Sequence, residues 1–188
     1  MSVADALSPG ALAFAGIAAC WIMLPAWVPN PTAALFGGGR SIDGGRILGD
    51  GYRIFGDGKT WRGFGAGVLC GIGIGAVQLA AQSHPILALL PAHTPVSVIA
   101  LSIGALLGDL IKSFFKRRLG KERGDPWPIV DQYDLVVGAF SVLLLADRDW
   151  MVANVTLPVL VAILVLTPLL HRGMNLIGYA AGIKDEPW

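Results

Sequence analysis

Long uncharged stretches constrain the fold more than any other feature of this sequence. They cover residues 8–30, 63–82, 83–108 and 151–170, none of which contains Asp, Glu, Lys or Arg. Each is close to the ~20 residues with which an α-helix crosses a bilayer. Of the 188 residues, 54% are hydrophobic and 14% are charged, whereas a soluble domain has about 25% charged residues. The chain is therefore predicted to be an integral membrane protein, and a soluble core of this hydrophobicity is disfavoured.

A shorter apolar run at residues 135–146 reaches spanning length when it is extended back through Asp134 and Asp131. The prediction is one all-α, polytopic membrane domain over residues 1–188 with five transmembrane helices. The spans are predicted at about 8–29, 62–82, 95–118, 131–147 and 150–171, and the two long loops at about 32–61 and 119–130. Pro158 and Pro168 predict kinks in the fifth span. Residues 171–188 are predicted to form a short cytoplasmic tail.

Positive charge is concentrated in two of the predicted loops. Residues 112–123 hold six of the fourteen Lys and Arg residues, and residues 36–62 hold another five. The positive-inside bias places both basic loops in the cytoplasm of a multi-pass cell-membrane protein. The N-terminus then lies outside and the C-terminus inside, which agrees with an odd number of spans. The first apolar stretch has no basic segment before it, so we expect a retained helix and not a cleaved signal.

The first basic loop is rich in glycine and ends in Gly56-Asp57-Gly58-Lys59-Thr60-Trp61-Arg62-Gly63. The run Gly58-Lys59-Thr60 is not a P-loop, because Arg53 stands where that motif needs its first glycine and a membrane span follows. Two interpretations stay open. Lys59, Thr60 and Arg62 at a helix N-terminus form an anion site, or the loop is ordinary and its cations contact lipid head groups.

A glycine stripe marks the second span. Gly63, Gly67, Gly71 and Gly75 recur every four residues and so lie on one face of a helix. In membrane helices such a face packs closely against another helix. The pattern favours packing within the chain, and a homodimer interface is the alternative.

Charged residues at the ends of two neighbouring spans are the strongest functional signal. Asp109, Lys112, Ser113 and Lys116 share one helix face, because they are spaced by three, four and seven residues. Ion pairing and snorkelling are one explanation for them. Asp131 and Asp134 add two carboxylates on the first turn of the next helix, where dipole stabilisation is the simplest explanation.

Gly138, on the same face as Asp131 and Asp134, predicts a close approach of the two helices. Ionisable groups at membrane depth are costly and indicate function, so we expect the carboxylates to converge.

This set of residues suits phosphoryl-transfer chemistry. Carboxylate oxygens on two helix ends favour a hard cation, Mg²⁺. Cations on both basic loops would hold a triphosphate: Lys59, Arg62, Lys112, Lys116, Arg117, Arg118 and Lys121. The sequence has no Ser–His–Asp or Cys–His set, and its histidines are His84, His93 and His171. A lipid phosphate nucleophile needs no strong base, because its second pKa is near ~6.

The motifs resemble those of the membrane CTP:phosphatidate cytidylyltransferases (CDP-diacylglycerol synthases). The resemblance rests on a Ser-x-x-Lys-Arg run from Ser113 to Arg117, a further lysine at Lys121 and the closing Asp131-Gln132-Tyr133-Asp134. The chain lacks the His-Gly-Gly that precedes the aspartate pair in bacterial and eukaryotic members, and it has Gln132 where arginine is usual. These departures, with Asn30-Pro31 and Ile42-Asp43-Gly44-Gly45 in the first loop, resemble the archaeal branch, the CDP-archaeol synthases. The resemblance covers most of residues 30–138.

The resemblance implies a reaction and a set of site residues. CTP and 2,3-bis-O-geranylgeranyl-sn-glycerol 1-phosphate, an unsaturated archaeal ether lipid, would give CDP-archaeol and pyrophosphate with Mg²⁺ as cofactor, in membrane phospholipid biosynthesis. Asp109, Lys112, Asp131 and Asp134 would be catalytic, and the three aspartates would bind the metal. The substrate-binding set would be Asp57, Lys59, Thr60, Trp61, Arg62, Ser113, Lys116, Arg117 and Lys121. The expected partners are CTP, the isoprenoid ether-lipid phosphate and membrane lipids, with no nucleic acid.

We also expect the isoprenoid chains to lie in a groove lined by the glycine-striped second helix. Three other functions are considered. A cytidylyltransferase for ester-linked phosphatidate would differ only in its lipid groove. A small ion or metabolite transporter would need polar residues in the outer halves of the spans, which are almost absent. A non-catalytic lipid-binding scaffold would leave the aspartates unexplained.

Overall fold

The computed structural model describes residues 8–180 and residue 182, and the regular structure in this part of the chain is helical. Within residues 8–180, seven α-helices follow one another: α1 Pro9–Trp27, α2 Pro29–Leu35, α3 Trp61–Ala81, α4 Pro95–Arg118, α5 Val130–Ala146, α6 Arg148–Asn154 and α7 Leu157–Ala180. A 3₁₀ turn, Leu87–Leu89, lies between α3 and α4. Two isolated bridges, Ser41 with Thr60 and Ile47 with Arg53, organise the loop before α3.

The helix starts follow from local capping chemistry. Thr60 precedes α3 and its hydroxyl accepts from the Gly63 N–H, satisfying a backbone donor that the first helical turn leaves free. Thr94 and Ser97 form a capping box at the start of α4.

In the described part of the chain, four segments are long and apolar enough to cross a membrane: Pro9–Leu35, Trp61–Ala81, Pro95–Arg118 and Leu157–Ala180. They correspond to four of the five predicted spans, and they make the chain a polytopic membrane protein. The fifth predicted span, at 131–147, corresponds to α5, which has 17 residues, fewer than the ~20 that a perpendicular span needs.

The last helix differs from the predicted span at residues 150–171. Asp147 caps the short helix α6 by accepting from the Trp150 N–H, and α7 begins only at Leu157. Pro158 therefore lies in the first turn, where its missing N–H costs no hydrogen bond, and only Pro168 lies inside the helix. The helix continues past His171 to Ala180, through part of the segment predicted as a tail, and residues 181 and 183–188 lie outside the described residues.

The core is built around α1, which contacts α3, α4, α5 and α7. One face of α1 is buried and is mostly small: Ala15, Ala18, Ala19, Ile22, Met23 and Ala26. Leu101 of α4, Leu143 of α5 and Ile163 of α7 are fully buried against it. Small residues let membrane helices approach closely, which increases dispersion contacts between them. Burying apolar side chains does not by itself stabilise helix association in a bilayer, because the lipid tails are equally apolar.

The glycine stripe packs inside the chain, as the sequence predicted. A Cβ on Gly67 would lie 2.6 Å from the Pro29 carbonyl oxygen, and one on Gly71 would lie 2.7 Å from that of Pro25. The stripe therefore cannot form a dimer interface. This face is covered by α1, α2 and α4, so a groove for isoprenoid chains along this helix would use its other, exposed faces, and that expectation stays a prediction.

Small residues also bring α4 and α5 together, and this contact positions the charged residues. A Cβ on Gly104 would lie 2.7 Å from the Ala139 Cα, and a Cβ on Gly108 would collide with the Asp134 carbonyl group. Gly138 likewise faces the backbone of Gly104 and Gly108. The close approach predicted from Gly138 is confirmed, and it places Asp109 beside the start of α5.

The opposite end of α4 is closed by a buried histidine. His93 is 3% exposed and its ring stacks on Trp150 with centroids 5.5 Å apart. Its Nε2 lies 3.3 Å from the Trp21 carbonyl oxygen and its Nδ1 lies 3.2 Å from the Ser97 hydroxyl. A neutral ring meets the Trp21 contact, with Nε2–H as donor to the carbonyl. His93 thus ties α1, α4 and α6 together and is a structural residue.

Candidate active site

The candidate site centres on the ammonium group of Lys112, in the last third of α4. Lys112 Nζ lies 3.1 Å from Asp109 Oδ1, one helical turn earlier on the same helix. The same atom lies 2.7 Å from Asp134 Oδ2 and 3.5 Å from Asp131 Oδ1. One cation therefore contacts carboxylates from two helices. We call Asp109, Lys112, Asp131 and Asp134 the carboxylate–lysine cluster.

The two aspartates of α5 have different surroundings. Asp134 has a side chain that is 2% exposed, and its Oδ1 accepts from the Leu135 N–H at 2.6 Å. Asp131 is more open, with 22% of its side chain exposed. It accepts from Lys116 Nζ at 3.1 Å and from the Trp127 N–H at 2.7 Å. The Trp127 contact ties Asp131 to the second basic loop.

The start of α5 has an unusual backbone. Ile129, the residue before the helix, has φ +72°, a conformation that β-branched residues rarely adopt. The N–H of Asp131 donates to the Trp127 carbonyl and that of Tyr133 to the Ile129 carbonyl, so the turn is held by hydrogen bonds on both sides. Strained positions of this kind persist where the surroundings fix them, and this one precedes Asp131 by two residues.

Lys59 reaches the carboxylate–lysine cluster from the first basic loop. Its Nζ lies 2.5 Å from Asp109 Oδ2, although the two residues are 50 positions apart. Its backbone is held as well, because the Ile42 N–H donates to the Lys59 carbonyl at 2.8 Å. Asp109 therefore has a lysine on each side, Lys59 from the loop and Lys112 from its own helix.

The other residues predicted near Lys59 lie elsewhere. Thr60 is 5% exposed and its hydroxyl caps α3. Arg62 donates to the carbonyls of Phe36 and Gly37. Trp61 is exposed, and Asp57 pairs with Arg53 at 2.5 Å. In this arrangement these four predicted binding residues make no contact with the aspartates.

Of the four predicted binding residues within residues 113–121, three are turned to backbone partners or are buried. Arg117 donates to the Lys121 carbonyl at 2.5 Å, and Lys121 donates to the Pro126 carbonyl at 3.3 Å. Ser113 is 6% exposed. Lys116 alone among them contacts the cluster, through Asp131.

Asp43 is a buried residue to which sequence reasoning gave no role. Its side chain has no exposed surface and accepts from Arg53 and from the N–H groups of Gly45, Phe55 and Gly56. Burial by itself raises the pKa of the Asp43 carboxyl, but these hydrogen bonds outweigh burial and hold the pKa well below its usual range. The sequence signal was present in Asp43-Gly44-Gly45, because aspartate before glycine is typical of side-chain-stabilised turns.

The donor set of the cluster has the right chemistry for a hard cation, since all its acceptors are carboxylate oxygens. Asp134 Oδ2 is buried and receives no well-aligned hydrogen bond, although Lys112 Nζ lies 2.7 Å away. That oxygen therefore has acceptor capacity left. Within residues 8–180 and 182, no three His, Cys, Asp or Glu side chains are placed to hold a metal ion together.

Comparisons with known proteins agree with the sequence resemblance. The model of the family described as "CarS-like: CDP-archaeol synthase" matches residues 12–188. Proteins named CDP-archaeol synthase from Methanosphaerula palustris and Methanoculleus marisnigri are 58% and 55% identical, each over 88% of this chain and 100% of the relative. One from Methanoregula boonei is 57% identical with the same coverage.

A solved structure is similar as well. It is described as "Structural insight into an intramembrane enzyme for archaeal membrane lipids biosynthesis". The TM-score is 0.63 at 36% sequence identity, and the match covers 88% of this chain and 93% of that chain. Both basic loops and both aspartate-bearing helices lie within residues 12–188, which the family model matches.

Proposed function

The chain belongs to the CDP-archaeol synthase family, and on that basis we propose that it forms CDP-archaeol at the carboxylate–lysine cluster. In the proposed reaction an oxygen of the lipid phosphate attacks the α-phosphorus of CTP. The bond from the α-phosphorus to the oxygen bridging the α- and β-phosphates breaks, and pyrophosphate leaves. The lipid substrate is 2,3-bis-O-geranylgeranyl-sn-glycerol 1-phosphate.

One observation supports this site above the rest of the molecule. Three lysines, Lys59, Lys112 and Lys116, meet the carboxylates of Asp109, Asp131 and Asp134 at the end of two apolar helices. Transfer at phosphorus depends on positioning and on neutralising charge. Lysines that now pair with carboxylates can exchange those partners for phosphate oxygens of CTP or of the lipid.

We assign the three lysines to the substrate phosphates. Lys112 and Lys59 are held on either side of Asp109, so both are oriented before a nucleotide arrives, which lowers the entropic cost of binding it. Lys116 is placed near the second loop through Asp131. The base of the nucleotide and the remaining predicted binding residues would require the two loops to rearrange around CTP.

Magnesium remains part of the proposal. Asp109, Asp131 and Asp134 would hold the ion, since their oxygens suit it and Asp134 Oδ2 has acceptor capacity left. Because Lys112 Nζ now lies among these carboxylates, they would come together on the ion only when Lys112 turns to a substrate phosphate. A bound Mg²⁺ would supply charge neutralisation on the transferred phosphate and on the leaving pyrophosphate.

We further propose that the site faces the cytoplasm. The support is the charge pattern: eleven of the fourteen Lys and Arg residues lie within residues 36–62 and 112–123, and the positive-inside bias puts such segments inside. CTP would then arrive from the cytoplasm. The lipid phosphate would arrive at the same depth from the bilayer, with its isoprenoid chains among the apolar helix surfaces.

The test uses the full-length protein in detergent with lipid. Purified protein is given α-labelled CTP, Mg²⁺ and the geranylgeranyl ether-lipid phosphate, and labelled lipid and pyrophosphate are measured. We expect both products to form in equal amounts. Absence of both, in a folded sample, would refute the proposal.

A parallel reaction with ester-linked phosphatidate decides between the two lipid classes, since the phosphate chemistry is the same. Omitting Mg²⁺ and adding a chelator tests the metal. Full turnover without any divalent ion would remove Mg²⁺ from the proposal.

A further inference from the structure

We propose that Asp43 is a positioning residue, whose buried carboxylate folds the first basic loop so that Lys59 is held against Asp109. No catalytic contact is assigned to Asp43 itself. The functional importance of Lys59 rests on the proposed function, but the placement of Lys59 by Asp43 can be tested without it.

Asp43 is the point at which separate parts of the loop meet. Its Oδ1 lies 2.5 Å from Arg53 Nη2, and its Oδ2 lies 3.2 Å from Arg53 Nε. The same Oδ2 accepts from the N–H groups of Phe55 at 3.1 Å and Gly56 at 3.0 Å. A fully buried carboxylate with this many donors is strongly favoured as the anion. Each hydrogen bond fixes the part of the loop that carries the donor.

Both backbone groups of Lys59 are hydrogen-bonded to residues that lie next to Asp43 or that Asp43 binds. On one side, Gly56 is fixed by Asp43 and its carbonyl accepts from the Lys59 N–H at 3.3 Å. On the other side, the neighbour of Asp43, Ile42, donates to the Lys59 carbonyl at 2.8 Å. Both backbone groups of Lys59 are therefore held by residues that Asp43 or its neighbour places. The direction of the Lys59 side chain toward Asp109 follows from that backbone.

The loop is also anchored to the helix that holds Asp109. Arg118, nine residues after Asp109 on α4, donates to the Arg53 carbonyl at 2.5 Å and to the Tyr52 carbonyl at 3.2 Å. Gly56 has φ +94°, and a Cβ there would lie 3.0 Å from Arg117 Nε, so the loop backbone lies directly on this guanidinium. The loop that contains Asp43 therefore contacts α4 at both Arg117 and Arg118. These contacts fix the position of the loop along α4, and with it the position of Lys59.

The first test measures the position of Lys59 and needs no substrate. The reactivity of Lys59 toward an amine-directed reagent is followed by mass spectrometry in wild type, Asp43→Asn and Asp50→Asn. We expect Lys59 to react about fivefold faster or more in Asp43→Asn. Losing one to two strong contacts of the Asp43 side chain favours local opening of the loop, which exposes the Lys59 amine, by about that factor. Lys121 is the internal control and should not change.

Asp50→Asn is the matched control variant. Asp50 lies in the same loop, and its side chain is 39% exposed where it pairs with Arg118 at 3.1 Å. Arg118 keeps its two carbonyl partners after the change, so we expect wild-type reactivity of Lys59. Arg53→Lys is the second variant in case Asp43→Asn does not fold, since lysine keeps the charge but loses the bidentate geometry. Unchanged Lys59 reactivity in a folded Asp43→Asn or Arg53→Lys protein would overturn the proposal.

The second test is a double-mutant cycle in the CTP reaction. We expect Asp43→Asn to lower kcat/KM for CTP by up to about 100-fold, the scale of a small displacement of a binding group, with the KM for the lipid unchanged. In a Lys59→Met background the same change should cost less than about twofold more, because both act through one side chain. Equal losses in both backgrounds would overturn the proposal.

The outcomes also separate this inference from the proposed function. If Lys59→Met is as active as wild type, the role of Lys59 in substrate binding fails, and the labelling result still decides whether Asp43 positions it. If Lys59→Met is impaired but Asp43→Asn is not, the proposed function stands and the positioning role fails.

Discussion

Lys112 Nζ lies 2.7 Å from Asp134 Oδ2, and this ion pair joins α4 to α5 across their glycine contact. Both side chains are largely buried, with 13% and 2% exposed. The same ammonium contacts Asp109 and Asp131, and with Lys59 and Lys116 it balances carboxylates that would otherwise repel one another in a medium of low polarity. The pair is therefore both a structural contact and the centre of the proposed reaction.

Replacing Lys112 by Met should affect folding and turnover together. Removing one partner of a buried ion pair leaves uncompensated charge and costs about 3–5 kcal/mol. We expect a lower apparent Tm in detergent, measured by intrinsic tryptophan fluorescence, and loss of CDP-lipid formation. Lys121→Met is the stability control, because Lys121 contacts a backbone carbonyl in the second loop. A Lys112→Met protein with wild-type Tm and turnover would contradict the central role of this lysine.

Asp131→Asn and Asp134→Asn should abolish turnover while the protein stays folded. Each change removes a negative charge from the cluster but keeps the size of the side chain, so we expect losses of at least about 100-fold in kcat. Labelled CDP-lipid is the readout, with gel filtration to check folding. Asp149→Asn, an exposed aspartate on α6, should match wild type. Near wild-type rates for both cluster variants would remove these aspartates from the site.

Two glycines of α3 should respond oppositely to alanine. In Gly67→Ala the new Cβ would lie 2.6 Å from the Pro29 carbonyl oxygen and 2.9 Å from Leu106 Cδ1, and overpacking of this kind costs about 1–3 kcal/mol. In Gly73→Ala nothing lies within 4 Å of the new Cβ, and helix propensity favours alanine by up to about 1 kcal/mol. Thermal unfolding in the same detergent compares them. A Gly67→Ala protein as stable as Gly73→Ala would contradict the packing of the stripe.

Stability should fall as the pH drops through the range in which His93 titrates. Burial lowers the pKa of His93, and its contact with the Trp21 carbonyl offsets this only in part. The unfolded chain takes up the proton near its ordinary pKa of about 6.5 while the folded chain does not, so unfolding is favoured as the pH falls below that value. We expect the apparent Tm of wild type to drop between about pH 7 and pH 5.

His93→Gln separates this effect from other titrations. Glutamine retains a donor and an acceptor but does not titrate in this range, and His84 and His171 are the same in both proteins. We expect a weaker pH dependence in the variant, measured by the same unfolding assay. Parallel Tm curves for the two proteins would show that His93 does not hold its neutral form.

Much of the site could be predicted because it depends on helical periodicity. Asp109, Lys112 and Lys116 share a face of α4 through their spacing alone, and the glycines of α3 line up for the same reason. The binding roles of Thr60 and Arg62 stay predictions, and the sequence does not say which competing partner either side chain takes. Thr60 caps α3 and Arg62 binds loop carbonyls.

The sequence by itself determined the membrane class, the helical architecture, the family and the group of residues from which a phosphate site would be built. These properties depend on composition and on short-range spacing, which any helix in a bilayer must respect. The tertiary structure decided that Lys59 reaches Asp109 across 50 residues and that Lys112 is shared between α4 and α5. It also decided that Asp43 is the buried acceptor within the first basic loop. The physical reason is that such contacts depend on how closely two helices can approach and on how a long loop closes, and both are set by partners distant in sequence.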